Sequence, residues 1–202
     1  MTELNRLAVE RDAVLVVVGT HGRGALSRTL LGSVSHALAR RGARPVLIAR
    51  SAVLPSLGGP VVCGVDLADE CAIAPVAHAA RLATSMQRPL VLVHVQGGKR
   101  LVAPGAPLAT AVALEPTARQ RTDARQALDA LARRVCAEPV ESVVIDGTSV
   151  ALRLDDFAAN RGADLLVVGC RGSGLLRRAL AGSTSLDLLR DGRRPLVIVP
   201  PG

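Results

Sequence analysis

The 202-residue sequence is 49% hydrophobic and carries a net charge of +8, so it can bury a substantial core beneath a basic surface. Phe157 is its only aromatic residue, which removes the stacking platforms that single-strand nucleic-acid binders use. Its four cysteines form no C-x-x-C pair, which argues against a zinc ribbon or a thioredoxin-type centre. No signal peptide is recognised and no apolar run could span a bilayer, so we expect a cytoplasmic protein that binds neither membrane nor nucleic acid.

The first fifty residues predict a short series of elements around a glycine-rich segment. A helix is predicted at Glu3–Arg11 and an apolar strand at Ala13–Val18. The glycine-rich segment Gly19–Ser33 follows, then a helix that begins at its last glycine, and then a second apolar strand at Pro45–Ala49.

From Gly59 onward, short apolar runs alternate with helical patterns. Strands are predicted at Pro60–Val65, Pro89–Val95, Val140–Ile145, Ala163–Val168 and Pro195–Val199. Helices are predicted from near Pro75 to Met86, at Thr117–Ala137, at Ser149–Arg161 with Thr148 or Ser149 as its cap, and at Gly182–Arg190. Gln96–Leu114 is interpreted as a loop. The alternation predicts a five-stranded, parallel, doubly wound α/β sheet with helices on both faces.

Part of this pattern occurs twice. Residues 12–50 align with residues 162–200 without a gap, at an offset of 150, and 19 of the 39 positions are identical. Only the second copy has a long lead-in, so we interpret 1–52 as a partial copy of the domain, 53–59 as a linker and 60–202 as a complete copy. Three origins of the partial copy stay open: a chain that begins inside a tandem protein, a misassigned start codon, or a truncated gene.

Both copies contain the pattern G-x-x-G, nine residues, then G-S, directly after the fourth strand of the domain. The four positions are Gly19, Gly22, Gly32 and Ser33 in the first copy and Gly169, Gly172, Gly182 and Ser183 in the second. Glycines let a backbone approach a phosphate closely, and the helix that follows presents free N–H groups to an anion. The pattern is neither a P-loop nor a dinucleotide fingerprint, and a plain glycine-rich turn from strand to helix is the simpler alternative.

The sequence resembles the universal stress protein family, whose nucleotide-binding members carry this motif after the fourth strand of a five-stranded α/β domain. The resemblance covers residues 59–202 and the C-terminal part of the same domain in the first copy. It implies an adenine nucleotide alpha hydrolase-like fold and the binding of ATP or AMP, with Mg²⁺ able to accompany ATP. It also implies a regulatory or stress-survival role without robust enzymatic turnover.

The resemblance also implies a set of binding residues. Asp66 matches the acidic residue that contacts adenine or ribose, and Val95 matches the adenine-contacting valine, although a helix-entry Asp and a plain core Val are simpler interpretations. The phosphate and ribose cradle, together with the residue that precedes it and its neighbouring donors, comprises Val168, Gly169, Arg171, Gly172, Gly182, Ser183, Thr184 and Ser185. Leu67 and Ala68 stand where the family often has Gly-Ser. The first copy keeps Gly19, Gly22, Gly32 and Ser33 but not the strands for an adenine wall, so we expect that half-site not to hold a nucleotide alone.

Two other functions stay open from the sequence. The chain could be a nucleotide-free oligomerisation module, because the family pairs fifth strands across its dimer and both copies have that strand; this implies a homodimer or an intrachain pseudo-dimer. It could also be a slow ATPase. The four histidines are scattered and no metal-ligand constellation is recognisable, so catalytic and metal-binding residues are not predicted.

Overall fold

The structure is a computed structural model that describes residues 3–19, 33–50, 58–68, 72–97, 99–101, 112–170 and 183–201. Its helices are Glu3–Glu10 (α1), Ser33–Arg41 (α2), Ile73–Met86 (α3), Ala118–Val135 (α4), Val150–Asn160 (α5) and Ser183–Asp191 (α6). Its strands are Val16–Gly19 (β1), Val46–Ala49 (β2), Val61–Gly64 (β3), Leu90–Gln96 (β4), Lys99–Leu101 (β5), Val112–Leu114 (β6), Glu141–Asp146 (β7), Leu165–Gly169 (β8) and Leu196–Val199 (β9).

Seven of the strands form one sheet in the order β1-β2-β9-β8-β3-β4-β7. Every neighbouring pair is parallel except β2 and β9, which are antiparallel. The predicted α/β class and the mainly parallel sheet are therefore confirmed. The five strands that residues 61–199 contribute to this sheet are all parallel, and their order reverses direction between β3 and β8.

The sheet separates two apolar cores. One core contains buried residues of α2, α5 and α6, and the other contains buried residues of α3 and α4. Strands β3, β8 and β9 are buried on both faces along almost their whole length, which explains why they appear in the sequence as continuous Val, Leu and Ile runs. Helices therefore cover both faces of the sheet beside these strands.

The structure corrects the predicted loop at Gln96–Leu114. Strand β4 extends to Gln96, and β5 and β6 form a separate antiparallel pair in which Lys99 lies opposite Leu114. Three-residue strands are too short for alternation to be visible in the sequence. Helix α3 also begins at Ile73, two residues before Pro75, so this proline occupies the first turn, where its lack of an N–H is tolerated.

The local backbone contacts of the first fifty residues recur 150 positions later. In both segments the residue after the helix-terminal turn donates back to a buried alanine: Ala13 N to Ala8 O (2.8 Å) and Ala163 N to Ala158 O (2.9 Å). Further equivalent pairs are Val16 N to Pro45 O (2.9 Å) with Leu166 N to Pro195 O (3.0 Å), and Gly42 N to Leu38 O (2.7 Å) with Gly192 N to Leu188 O (3.0 Å). The repeat in sequence is thus matched by a repeat in local conformation.

Candidate functional site

The candidate site lies at the carboxyl ends of β3 and β8. These strands are parallel neighbours, with Gly64 opposite Val168, so the residues that follow them emerge at the same edge of the sheet. After β3 the chain continues to α3 on one face, whereas the helix that follows β8 packs into the core of the other face. Such a divergence opens a crevice at the edge of a doubly wound sheet, where ligands usually bind.

Asp66 lies at this edge, two residues after the end of β3. Its side chain is exposed, and its Oδ1 accepts a hydrogen bond from the backbone N–H of Ala68 (3.0 Å). This contact fixes the turn and leaves the carboxylate at the surface. Leu67 packs against the core formed with α3 and α4, which gives the departure from the Gly-Ser of the family a structural role.

Val95 and Val168 lie in the apolar core near the carboxyl ends of β4 and β8. They are 7% and 3% exposed and belong to the same apolar core. Both side chains are therefore core residues here, and the predicted contact of Val95 with adenine stays a prediction.

His94 also contributes to this edge, although the sequence singled out no histidine as a site residue. Its Nδ1 lies 2.9 Å from the carbonyl oxygen of Val65, so the half-buried imidazole ties β4 to the last residue before Asp66. A histidine inside an apolar strand was the available signal, but its partner is a backbone atom that no sequence pattern identifies.

The structure describes only part of the predicted phosphate cradle. Gly169 ends β8, and the N–H of Cys170 donates to Val199 O (2.9 Å), so the strand pairing with β9 continues to this edge. Ser183 begins α6, Thr184 is half-buried and Ser185 is buried. Arg171, Gly172 and Gly182 lie outside the described residues.

In the first copy, Gly19 ends β1 and Ser33 begins α2, whereas Gly22 and Gly32 lie outside the described residues. Ser35, which aligns with Ser185, donates from its Oγ to the carbonyl oxygen of Gly19 (2.9 Å). In this copy the serine therefore ties the helix to the end of the strand.

A charged pair at the neighbouring strand end was not recognised in the sequence. Asp146 ends β7. The guanidinium of Arg121 on α4 donates to its Oδ2 from both Nη2 (2.7 Å) and Nε (2.9 Å). The hydrogen bond to Asp146 raises the pKa of Arg121. Arg153 Nε donates to the carbonyl oxygen of Asp146 (3.0 Å), which places a second guanidinium at the same rim. Pairing across 25 positions leaves no local sequence signal.

Neither a metal site nor a membrane span is found in the described part of the chain. No group of three His, Cys, Asp or Glu side chains is placed to hold a metal ion there. None of the helices described is both long and apolar enough to cross a membrane.

Comparison with known proteins identifies the family. The model of the universal stress protein family matches residues 2–50 and again residues 59–200. The chain belongs to the universal stress protein family. Universal stress protein Rv2005c of Mycobacterium tuberculosis is 31% identical over 193 residues, which are 94% of this chain and 63% of that protein. A universal stress protein of Mycolicibacterium smegmatis is 34% identical over 145 residues, 69% of this chain and 47% of its own length. The chain thus spans less than two thirds of the length of these curated relatives.

Solved universal stress proteins share the fold. One from Archaeoglobus fulgidus DSM 4304 has a TM-score of 0.69 at 19% identity, and the match covers 98% of this chain and 65% of that one. A second structure from Archaeoglobus fulgidus, in complex with dAMP, has a TM-score of 0.50 at 19% identity and covers 71% of this chain and 98% of that one.

Proposed function

We propose that this universal stress protein binds ATP at the carboxyl ends of β3 and β8 and acts as a regulatory stress-survival module without catalytic turnover. The observation that carries the proposal is the position of Asp66 and Gly169 on either side of the strand-order reversal, because β3 and β8 are in register up to Gly64 and Val168. The dAMP complex of an Archaeoglobus relative supports an adenine nucleotide as the ligand class.

In this proposal each edge of the crevice has one task. Asp66 accepts hydrogen bonds from ribose or adenine, since a carboxylate would repel phosphate. The N–H groups at the start of α6 and the glycines at 169, 172 and 182 receive the phosphates, with Arg171, Ser183 and Thr184 as further donors. Mg²⁺ would be carried by the ATP phosphates, and AMP is the smaller alternative ligand.

We further propose that residues 1–52 are a partial copy of the domain and that the chain is an intrachain pseudo-dimer. Three β2 residues support this: Val46 lies opposite Ile198, Leu47 opposite Val197 and Ile48 opposite Leu196. At the repeat offset of 150, the β9 residues 198, 197 and 196 correspond to the β2 positions 48, 47 and 46. Each fifth strand therefore pairs with its own counterpart, reversed about the Leu47–Val197 pair, as in a two-fold dimer.

Binding of ATP to the purified chain tests the proposal. Isothermal titration should give a saturable heat with wild-type protein, and mass spectrometry of the protein as purified should recover ATP or AMP. Gly182→Val should abolish binding, because a side chain would fill the cradle, and Gly32→Val at the matching position of the first copy should leave binding unchanged. Absence of binding at millimolar ATP would refute the proposal.

Asp66→Ala tests the other edge of the crevice. Removing an acceptor that bonds the nucleotide should weaken affinity about tenfold or more, from a loss of roughly 1.5–3 kcal/mol. Glu138→Ala is the control, because it removes an exposed carboxylate just before the amino end of β7, at the opposite edge of the sheet. Equal affinities of the two variants would remove Asp66 from the site.

The β2–β9 pairing favours a second candidate, an oligomerisation module that needs no nucleotide. Its signature would be a wild-type chain that neither retains nor binds nucleotide. Phosphate release well above that of a Gly172→Val variant would instead establish the slow ATPase.

A further inference from the structure

The outer edge of β1 is an apolar surface that resembles a buried surface elsewhere in the molecule. Among the described strands, β1 is the last on its side of the sheet, and β8 is its counterpart at the offset of 150. Val17 is 60% exposed, whereas its counterpart Val167 is fully buried. Leu4 on α1 is 44% exposed, whereas its counterpart Leu154 on α5 is 2% exposed. Equivalent positions are thus exposed to solvent in β1 and α1 but buried in β8 and α5.

Within the residues that the structure describes, this edge lacks the usual protection against pairing. Exposed edge strands are commonly blocked by charged side chains, prolines or bulges, but β1 consists of three valines and a glycine. The N–H of Val16 donates to Pro45 on the β2 side, so the alternation of a strand directs the N–H of Val17 outward. Val17 therefore offers both an apolar side chain and a backbone donor.

The covered edge of β8 indicates which kind of segment would fit against β1. The matching edge of β8 is paired in parallel with β3, with Val61 opposite Leu165 and Gly64 opposite Val168. A Cβ on Gly64 would lie 2.7 Å from Leu154 Cδ1, so the leucine of the helix needs a glycine at the end of the covering strand. The buried side chain of Val167 lies in the core that α3 helps to form on the other face.

The two faces of the exposed surface require different coverage. Leu4 lies on the α1 face, where a strand edge would cover it, whereas Val17 lies on the opposite face, where only a helix would. A symmetric second copy paired through β1 would leave the Val17 face bare. A strand that continues into a helix covers both.

We propose that the edge of β1 together with α1 is a docking surface for a polypeptide that supplies an uncharged parallel strand followed by an apolar-faced helix. The strand carries a glycine opposite Val18, beside Leu4, and its helix packs over Val17. In chemistry it matches β3 and α3 of this chain, and it adds an eighth strand to the sheet.

The test joins residues 58–149 of this chain, through a flexible linker, to the N-terminus of the full chain. This added segment has the required strand and helix but lacks Leu154. Deuterium exchange at the Val17 N–H should slow at least tenfold relative to the unjoined chain, because a new hydrogen bond protects it. Gly64→Leu in the added segment alone should remove the protection, since the new side chain would collide with Leu4.

A second measurement uses the unmodified chain with the same segment supplied as a separate polypeptide during co-expression. Co-purification with wild type but not with Val17→Lys supports the proposal, and Leu152→Lys, an exposed leucine on α5, should co-purify like wild type. No protection in the joined protein overturns the proposal. Concentration-dependent dimerisation of the chain alone that Val17→Lys abolishes also overturns it, by assigning the surface to a second copy.

Discussion

Single residues show which parts of the repeat are structural. Asp155 is buried in α5, and its Oδ1 accepts a hydrogen bond from the backbone N–H of Arg193 (3.2 Å). Its counterpart Asn5 is buried in α1 and accepts from the N–H of Ala43 (2.9 Å). The shared function is to satisfy one backbone donor next to the strand that follows. Asp155 Oδ2 also lies 3.6 Å from Arg193 Nε, but this guanidinium is mostly exposed, so the charge adds little to the shared hydrogen bond.

This equivalence makes a testable prediction about Asp155. Asp155→Asn should cost less than about 1 kcal/mol in the free energy of unfolding, because the amide oxygen replaces the acceptor. Asp155→Ala should cost roughly 1–3 kcal/mol, because the part-buried Arg193 N–H loses its partner on a buried side chain. Urea unfolding measures both. Asp187→Ala, an exposed change on α6, should stay within about 0.5 kcal/mol, and a similar loss in all three variants would contradict the assignment.

His78 gives the protein a pH-dependent stability. It is buried in α3, its Nε2 has no hydrogen-bond partner among the described residues, and burial, together with the charge of Arg81, lowers its pKa. Because the unfolded chain binds the proton more readily, stability falls as the pH drops from about 6.5 toward the lower folded-state pKa. Because only one proton is involved, the free energy of unfolding changes by at most about 1.4 kcal/mol per pH unit.

Replacing the imidazole should remove that slope. We expect His78→Leu to lose less stability than wild type between pH 7.5 and 5.5 in urea unfolding. His36→Gln, at an exposed histidine of α2, should keep the wild-type dependence. Identical pH profiles for wild type and His78→Leu would show that other groups cause the loss of stability at low pH.

At the scale of elements, two helix starts that look alike in sequence differ in the structure. Thr117 caps α4 with a complete capping box, in which its Oγ1 accepts from Gln120 N and the Gln120 side chain accepts from Thr117 N. Ser149 caps α5 by position, but its side chain makes no capping hydrogen bond. Thr117→Ala should therefore cost about 1 kcal/mol and Ser149→Ala less than half of that. The difference between the two urea midpoints checks the prediction, and an equal cost would contradict it.

The elements also show what the sequence could predict. The continuous apolar runs identified the main strands to within one or two residues, except that β1 begins three residues after Ala13. Strand-sized hydrophobic runs are a strong signal because a parallel sheet buries both faces of each strand. The β5–β6 pair was not predicted, since its two strands have three residues each.

The site was predictable only in part, for a physical reason. Asp66 and Gly169 follow directly from strand ends, so their common edge is a consequence of parallel topology. The contacts of His94 with Val65 and of Arg121 with Asp146 depend on how separate elements pack, which no local pattern encodes. The predicted roles of Arg171, Gly172 and Gly182 stay predictions.

At the scale of the whole molecule, one seam joins residues 3–50 to the five parallel strands. The antiparallel β2–β9 pair forms its centre, and Ile48 and Val197 are fully buried there. Arg50 closes one end of the seam, because its Nη2 lies 2.7 Å from the carbonyl oxygens of both Leu188 and Leu189 at the end of α6. A guanidinium is favoured at this place, where the final carbonyls of a helix lack partners within it.

The last prediction concerns this seam. Arg50→Ala leaves two carbonyls of α6 without the guanidinium, so local opening of the seam should become easier. We expect deuterium exchange of the β2 and β9 amides to accelerate about tenfold, while the β4 and β7 amides keep the wild-type rate. Arg44→Ala is the matched control, because Arg44 pairs only with the exposed carboxylate of Asp12 in the contacts described for it. Faster exchange throughout the sheet, or in both variants alike, would show that Arg50 supports the fold as a whole instead of joining its two segments.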